Sequence, residues 1–315
     1  MSERVIHSKF IDFNFIKFPI IFPLIYFFLL YSLPQFENFL ILMTLILLAE
    51  PHFGATWPFL IHSFNSKKIL SEKINFILLP IFIVLLSIFL FIYNKNLLYL
   101  FFYLANFYHV TRQSAGISKL YLGNKNINET SFQNYIIYFY GFLFMLIGLL
   151  RFQFIQFFEF NLVYLNLIIS FSILMIIIFY LFKFKSIINA FLFLTGILIF
   201  YPVCFVDAPI HAIIMGVTMH YTQYIFITYK VNFGRLQILN NNNSKKSNNS
   251  LYFIFIIIFY GIIMGLLGMS NTLTNNTIGN LIIIPLIGQL LHFYYDTILW
   301  KFSDSHNREV TLKYI

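Results

Sequence analysis

The chain has 315 residues, 60% of them hydrophobic and only 10% charged, with a mean hydropathy of +0.81. A soluble domain carries about 25% charged residues, so this composition argues against a soluble enzyme and for an all-α, polytopic integral membrane protein. The net charge of +9 reads as membrane topology rather than nucleic-acid binding, and one cysteine, Cys204, excludes an intramolecular disulfide, a zinc ribbon and a thiolate cluster.

A membrane-crossing helix takes about 20 apolar residues, and about ten stretches qualify: 11–33, 38–62, 74–93, 97–117, 132–150, 162–182, 186–206, 208–229, 251–269 and 280–302. The first follows the basic start MSERVIHSKF and is too long for a typical signal-peptide core, so it reads as a retained span. Pro19, Pro23, Pro51 and Pro58 fall inside spans and are expected to kink or open them. RFQFIQFFEF, between the fifth and sixth stretches, is aromatic and amphipathic and is expected to lie in the membrane interface. NNNNSKKSNNS predicts a disordered polar loop near 238–250. With no separate soluble domain indicated, residues 1–315 read as a single transmembrane domain.

Basic residues orient the bundle. With both termini cytoplasmic, Lys67, Lys68, Lys73, Lys119, Lys125, Lys183, Lys185, Lys230, Arg235, Lys245, Lys246, Lys301, Arg308 and Lys313 fall inside, and only Lys95 and Arg151 outside. The expected location is the inner (plasma) membrane of a bacterial cell.

His52, His109, His220 and His292 lie on the second, fourth, eighth and tenth stretches, which run the same way in that topology. Each is about 12–14 residues from the outer end, so about 18–21 Å down and just past the middle of a core about 30 Å thick. An unpaired imidazole in lipid is costly, and four at one level can share a metal. Four residues after each histidine, on the same helix face, comes Thr56, Gln113, Tyr224 or Asp296. These side chains are candidates to orient the ligating ring through its second nitrogen or to line a substrate pocket. Asp296 is either a ligand or an orienting group, and Asp296, Gln113 and Tyr224 are the candidate catalytic residues. Glu50 is set about 200° from His52 by ideal helix geometry, although Pro51 blurs that angle. Arg112 reads as an inner-mouth residue or as a charge snorkelling to the membrane face.

The other histidines fail the same test. His211 is half a turn out of phase with His220, His62 lies about 15 Å beyond His52, and His7 and His306 are in the termini. Trp300 and the tyrosines near span ends read as interfacial anchors. GxSxG, Walker A, GxGxxG and HExxH motifs are absent, as are the HxxxH and HxxHH boxes of membrane desaturases.

Three short segments carry a resemblance: PHFGATWPF at 51–59, FYHVTRQ at 107–113 and LLHFYYDTI at 290–298. They resemble the histidine motifs of the Brp/Blh family of bacterial membrane proteins, which includes β-carotene 15,15′-dioxygenases. The resemblance implies a multi-span helical fold with iron held by four histidines. By match it makes His52, His109 and His292 ligand candidates, while His220 enters through depth alone.

The first functional expectation is therefore an enzyme: a non-haem, Fe(II)-dependent membrane oxygenase or related oxidoreductase. Its partners would be O2, membrane lipid and a lipophilic substrate, as in carotenoid or other isoprenoid or lipid cleavage, with no nucleic acid. Imidazole donors also suit Zn. The alternatives are a bis-histidine haem protein for electron transfer and a transporter using the histidines as a proton relay.

Overall fold

A computed structural model describes residues 5–122, 127–152, 162–239, 246–270 and 280–315, and every regular element among them is helical. In chain order these are α1, the bent pair Lys9–Lys17 and Ile21–Ser32; α2, Pro34–Ile61; α3, Ile74–Tyr93; and α4, Lys95–Leu122. Then come α5, Ile127–Arg151; α6, Leu162–Phe184; α7, Ile187–Leu198; and α8, Pro209–Leu239. The last are α9, Lys246–Gly268; α10, Ile283–Leu299; and the short α11, Ser305–Val310.

Each predicted stretch is helical over most of its length, but fewer than ten are membrane spans by length and composition. Among the described residues, six helices are long and apolar enough to cross a membrane, or seven if the bent pair is one span. The shortfall has a physical cause. Helix α7 has only 12 residues, about 18 Å of rise. Helices α4 and α8 are long but carry many polar side chains, His109, Arg112, Gln113, His220 and Gln223 among them. Of the expected disordered polar loop near 238–250, α8 runs to Leu239 and α9 starts at Lys246, and residues 240–245 lie outside the described residues. Most of RFQFIQFFEF, from 153 on, also lies outside them.

The chain divides into two compact units: Met1–Gln35 with Asn106–Gln223, and Phe36–Ala105 with Tyr224–Ile315. In the first unit, α1 opens into a π-helix at Asp12–Lys17 and bends by 54° before Ile21, with Pro19 in the break. Backbone freed at such a break must find partners in a dry interior. Thr195 Oγ1 donates to Lys17 O (2.7 Å), Gln223 Nε2 to Ile16 O (2.6 Å) and Thr222 Oγ1 to Phe15 O (3.3 Å). The buried Asp12 carboxylate accepts from the N–H groups of Ile6 (2.6 Å) and His7 (2.9 Å) and from Tyr121 (2.9 Å). Gly216 of α8 lies so close to Ile199 that any Cβ there would collide with its carbonyl oxygen.

A second polar chain ties α4, α5, α6 and α7 together in the same unit. Ser118 donates to Gln133 Oε1, Gln133 Nε2 donates to Tyr180 Oη (2.5 Å), and Tyr180 donates to Glu129. Asn189 also donates to Glu129 (3.2 Å).

In the second unit, α2 contains a π-helical turn at Leu45–Ala49, followed at once by Pro51. It is interrupted again at Ala55, where Pro58 lacks the N–H that Gly54 would bond. Helix α9 packs on the wide turn through Gly261 and Gly265: a Cβ on Gly261 would lie 2.5 Å from Ile46 O, and one on Gly265 2.7 Å from Ile46 Cγ1. Lipid supplies little hydrophobic drive between helices, so such small-residue contacts carry the packing.

Past α10 the chain folds back onto the same unit. Buried Arg235 donates to Val310 O (2.6 Å), Phe59 O (3.1 Å) and Thr311 Oγ1 (2.9 Å), and its guanidinium stacks 4.2 Å over the Phe59 ring. Lys68 pairs with Asp304. Burial alone would raise the Asp304 carboxyl, but the hydrogen bond and charge of Lys68 hold it below the usual carboxylate range.

Candidate functional site

The second unit gathers a buried polar cluster from three helices. Helix α2 contributes His52 and Thr56, α8 contributes Tyr224, and α10 contributes His292 and Asp296. All five are at most 3% exposed, so their polar atoms must be satisfied by one another or by a bound group. The His52 and His292 rings meet edge to face with centroids 4.4 Å apart, and Tyr224 stands 4.6 Å from His52 and 5.2 Å from His292. Thr56 Oγ1 lies 2.6 Å from His292 Nδ1 and 2.9 Å from Tyr224 Oη. Tyr224 donates to Asp296 Oδ1 (2.8 Å), and Asp296 Oδ2 lies 3.6 Å from His292 Nε2.

Thr56 and Tyr224, each read from sequence as a group that orients a ring or lines a pocket, both lie in this cluster: Thr56 contacts His292 and Tyr224 donates to Asp296.

Glu50 does not join the cluster through His52: its carboxylate accepts from Gln289 Nε2 at 2.7 Å. Phe53 packs 5.0 Å from His292 and 6.0 Å from Phe293, and Phe293 packs 5.7 Å from Phe102. That aromatic run leads from the buried ring to a half-buried residue on α4.

The first unit holds the other predicted pair. His109 and His220 are both buried, T-shaped to each other with centroids 5.6 Å apart. Gln113 and Arg112 are half-buried one turn further along α4. His211, also buried, is engaged with Tyr26 Oη at 2.6 Å through Nδ1. Just past α2, His62 is pushed down to about 4 by burial and then by the Arg235 charge. His306, pushed down first by burial, lies 3.3 Å from Asn65 Oδ1 through Nε2.

The residues of the second unit fit a metal ion. One ring nitrogen of His52 lies within 4.8 Å of one on His292, and the donors are nitrogen and oxygen, which suits Fe(II) or Zn. Comparison with protein-family models, with curated proteins and with solved structures found no match.

Proposed function

We propose that the chain is an integral-membrane oxidoreductase: a non-haem, iron-dependent oxygenase acting on a lipophilic substrate such as a carotenoid or another isoprenoid. The observation that carries this reading is the fully buried cluster of His52, His292, Tyr224 and Asp296 beside an aromatic run. Buried ionisable groups in membrane helices are expensive and mark function by default. The motifs around His52, His109 and His292 support the same reading.

In this proposal His52 and His292 hold the metal, and helix depth supplies His109 and His220 as the remaining imidazoles. Bound Fe(II) supplies the oxygen chemistry. The protein binds and orients the substrate along Phe53, Phe293 and Phe102, excludes water, and keeps Tyr224, Asp296 and Gln113 available to position it. All ten helical stretches cross the membrane in this reading, α4 and α8 with their polar faces turned inward. With 28 and 31 residues they rise about 42 and 46 Å, enough for a core about 30 Å thick. Both termini are cytoplasmic, in a bacterial inner membrane.

Elemental analysis of full-length protein purified in mild detergent tests the reading, alongside O2 uptake with carotenoid and isoprenoid substrates. About one iron per chain and substrate-dependent O2 uptake are expected. Absence of any stoichiometric metal would overturn it and leave the proton-relay alternative.

A further inference from the structure

The structure assigns a further buried site to the second unit, one that binds a single hydroxyl group between Tyr260 and Glu50. It lies on the face of α2 turned away from His52 and uses none of the imidazoles. Glu50, Gly54 and Trp57 stand at i, i+4 and i+7 on α2 and so share that face. Tyr260 of α9 lies over the middle of it because Gly54 has no side chain: a Cβ there would come 2.8 Å from Tyr260 Cδ1. The phenol ends beside α10, where a Cβ on Gly288 would lie 2.7 Å from Oη. Apart from the backbone of α10 and the residues next to Gly288, that hydroxyl and the carbon bearing it are the only described atoms within 4 Å of the position. The missing side chain of Gly288 therefore leaves room beside the phenol.

Three buried polar atoms on these side chains have no hydrogen-bond partner among the described residues: Glu50 Oε2, Tyr260 Oη and Trp57 Nε1. Tyr260 is the hub, since the Glu50 carboxyl and the Trp57 indole both lie close enough to act on its hydroxyl. Glu50 is 1% exposed, and Gln289 satisfies only its other oxygen, at 2.7 Å. Orphaned polar atoms in a dry interior are costly, so they call for a partner. Their chemistry selects it. An indole N–H only donates and a carboxylate only accepts. An anion would meet the carboxylate, and an ammonium would meet the indole N–H. A hydroxyl donates and accepts through one oxygen. It takes the Tyr260 hydrogen and gives its own to Glu50, while Trp57 serves the phenol oxygen. Tyr260 and Trp57 are half-buried although their polar atoms are sealed in. Their ring carbons thus reach the surface on helices long and apolar enough to cross a membrane. That favours an alcohol arriving through lipid; water is the other source of the same group.

The test uses full-length protein in mild detergent, treated with a chelator so that the outcome does not depend on metal. The chain has two tryptophans, Trp57 and Trp300, so fluorotryptophan labelling gives two fluorine resonances, assigned with Trp57→Phe. Dodecanol is expected to shift the Trp57 resonance saturably and to leave that of Trp300 in place, and dodecane to shift neither. Tyr260→Phe and Glu50→Leu should weaken the dodecanol effect about 10-fold or more, while Glu50→Gln, which still offers hydrogen-bonding atoms, keeps most of it. If dodecanol shifts nothing, a cross-peak from the Trp57 indole N–H to a long-lived water, lost in Tyr260→Phe, supports the site with water as the source of the hydroxyl. Absence of both the dodecanol shift and the water cross-peak would overturn the assignment. So would equal shifts from dodecanol and dodecane, or wild-type dodecanol binding in Tyr260→Phe. If Glu50→Leu does not fold, Tyr260→Phe, which keeps the ring in place over Gly54, decides.

Discussion

Two buried polar chains, one in each unit, are built from the same parts and end differently. In the first unit Ser118, Gln133, Tyr180 and Glu129 form a relay in which a tyrosine bridges an uncharged side chain and a carboxylate. In the second, His292, Thr56, Tyr224 and Asp296 do the same. The first chain runs from helix to helix with a hydrogen bond at every step, which is what polar residues contribute to membrane helix packing. The second brings His292 Nε2 within 3.6 Å of Asp296 Oδ2 and runs beside a second imidazole, His52, whose ring meets that of His292 edge to face at 4.4 Å. Burial and hydrogen bonding therefore do not by themselves mark a site; the two contacting imidazoles are what the first chain lacks.

The largest effects should come from the scaffold under each chain. Gly216→Leu in the first unit and Gly261→Leu in the second both drive a side chain into a carbonyl oxygen on fixed backbone. Each should cost about 3 kcal/mol or more and lower the unfolding temperature in detergent sharply. A variant that unfolds like wild type would mean the helices do not approach that closely.

The sharper test exchanges the two tyrosines. Tyr180→Phe strands the Gln133 amide and part of the Glu129 shell in a dry interior, so it should lose about 1–3 kcal/mol of stability while leaving metal affinity unchanged. Tyr224→Phe should show the reverse weighting, with the loss mainly in metal affinity. Equal metal loss in both variants would dissolve the distinction between packing and site.

The smallest effect lies outside the membrane helices. Asp304 is more acidic in the folded chain than usual, so it adds stability that is complete above the unfolded carboxyl value of about 3.9 and disappears as the pH falls through the folded value. Asp304→Asn should lower stability slightly at neutral pH and flatten the acid dependence below about pH 4. Because the pair is partly exposed and screened, the difference should also shrink in salt. A gap between variant and wild type that persists at acid pH would assign Asp304 a role other than its charge.

Much of this was legible in the sequence, for different reasons in different places. The helices could be read because apolar runs of span length leave few alternatives, and the prolines at 19, 51 and 58 lie in or beside the breaks they suggested. His52, Tyr224, His292 and Asp296 could be singled out because ionisable and phenolic groups in apolar helices are rare. Their pairing could not be read. Helical periodicity tells which residues share a face but not which face of another helix it meets, so the contact of Thr56 with His292 could not be foreseen. Span number also outran the signal. A helix with one polar face, like α4 or α8, has the hydropathy of a soluble helix whichever environment it occupies. The relay of Ser118, Gln133, Tyr180 and Glu129 was missed because its members come from three helices, and the one local pair, Glu129 and Gln133 on α5, does not reveal its partners. The close contacts at Gly261 and Gly265 had a signal, GIIMG, that spacing alone could have caught.

The wide turn at Leu45–Ala49 carries a consequence for how this chain can change over time. A π-helical turn amounts to one residue inserted into an α-helix. Removing a residue there would restore regular winding with little change of phase across the turn, because the wider turn absorbs the about 100° that an extra residue would otherwise add. Glu50, His52 and Thr56 would keep their phase, and so would the buried Ile41 and Thr44 before the turn. A single codon gained or lost at this point is thus absorbed locally, with no substitution at any of the site's own positions.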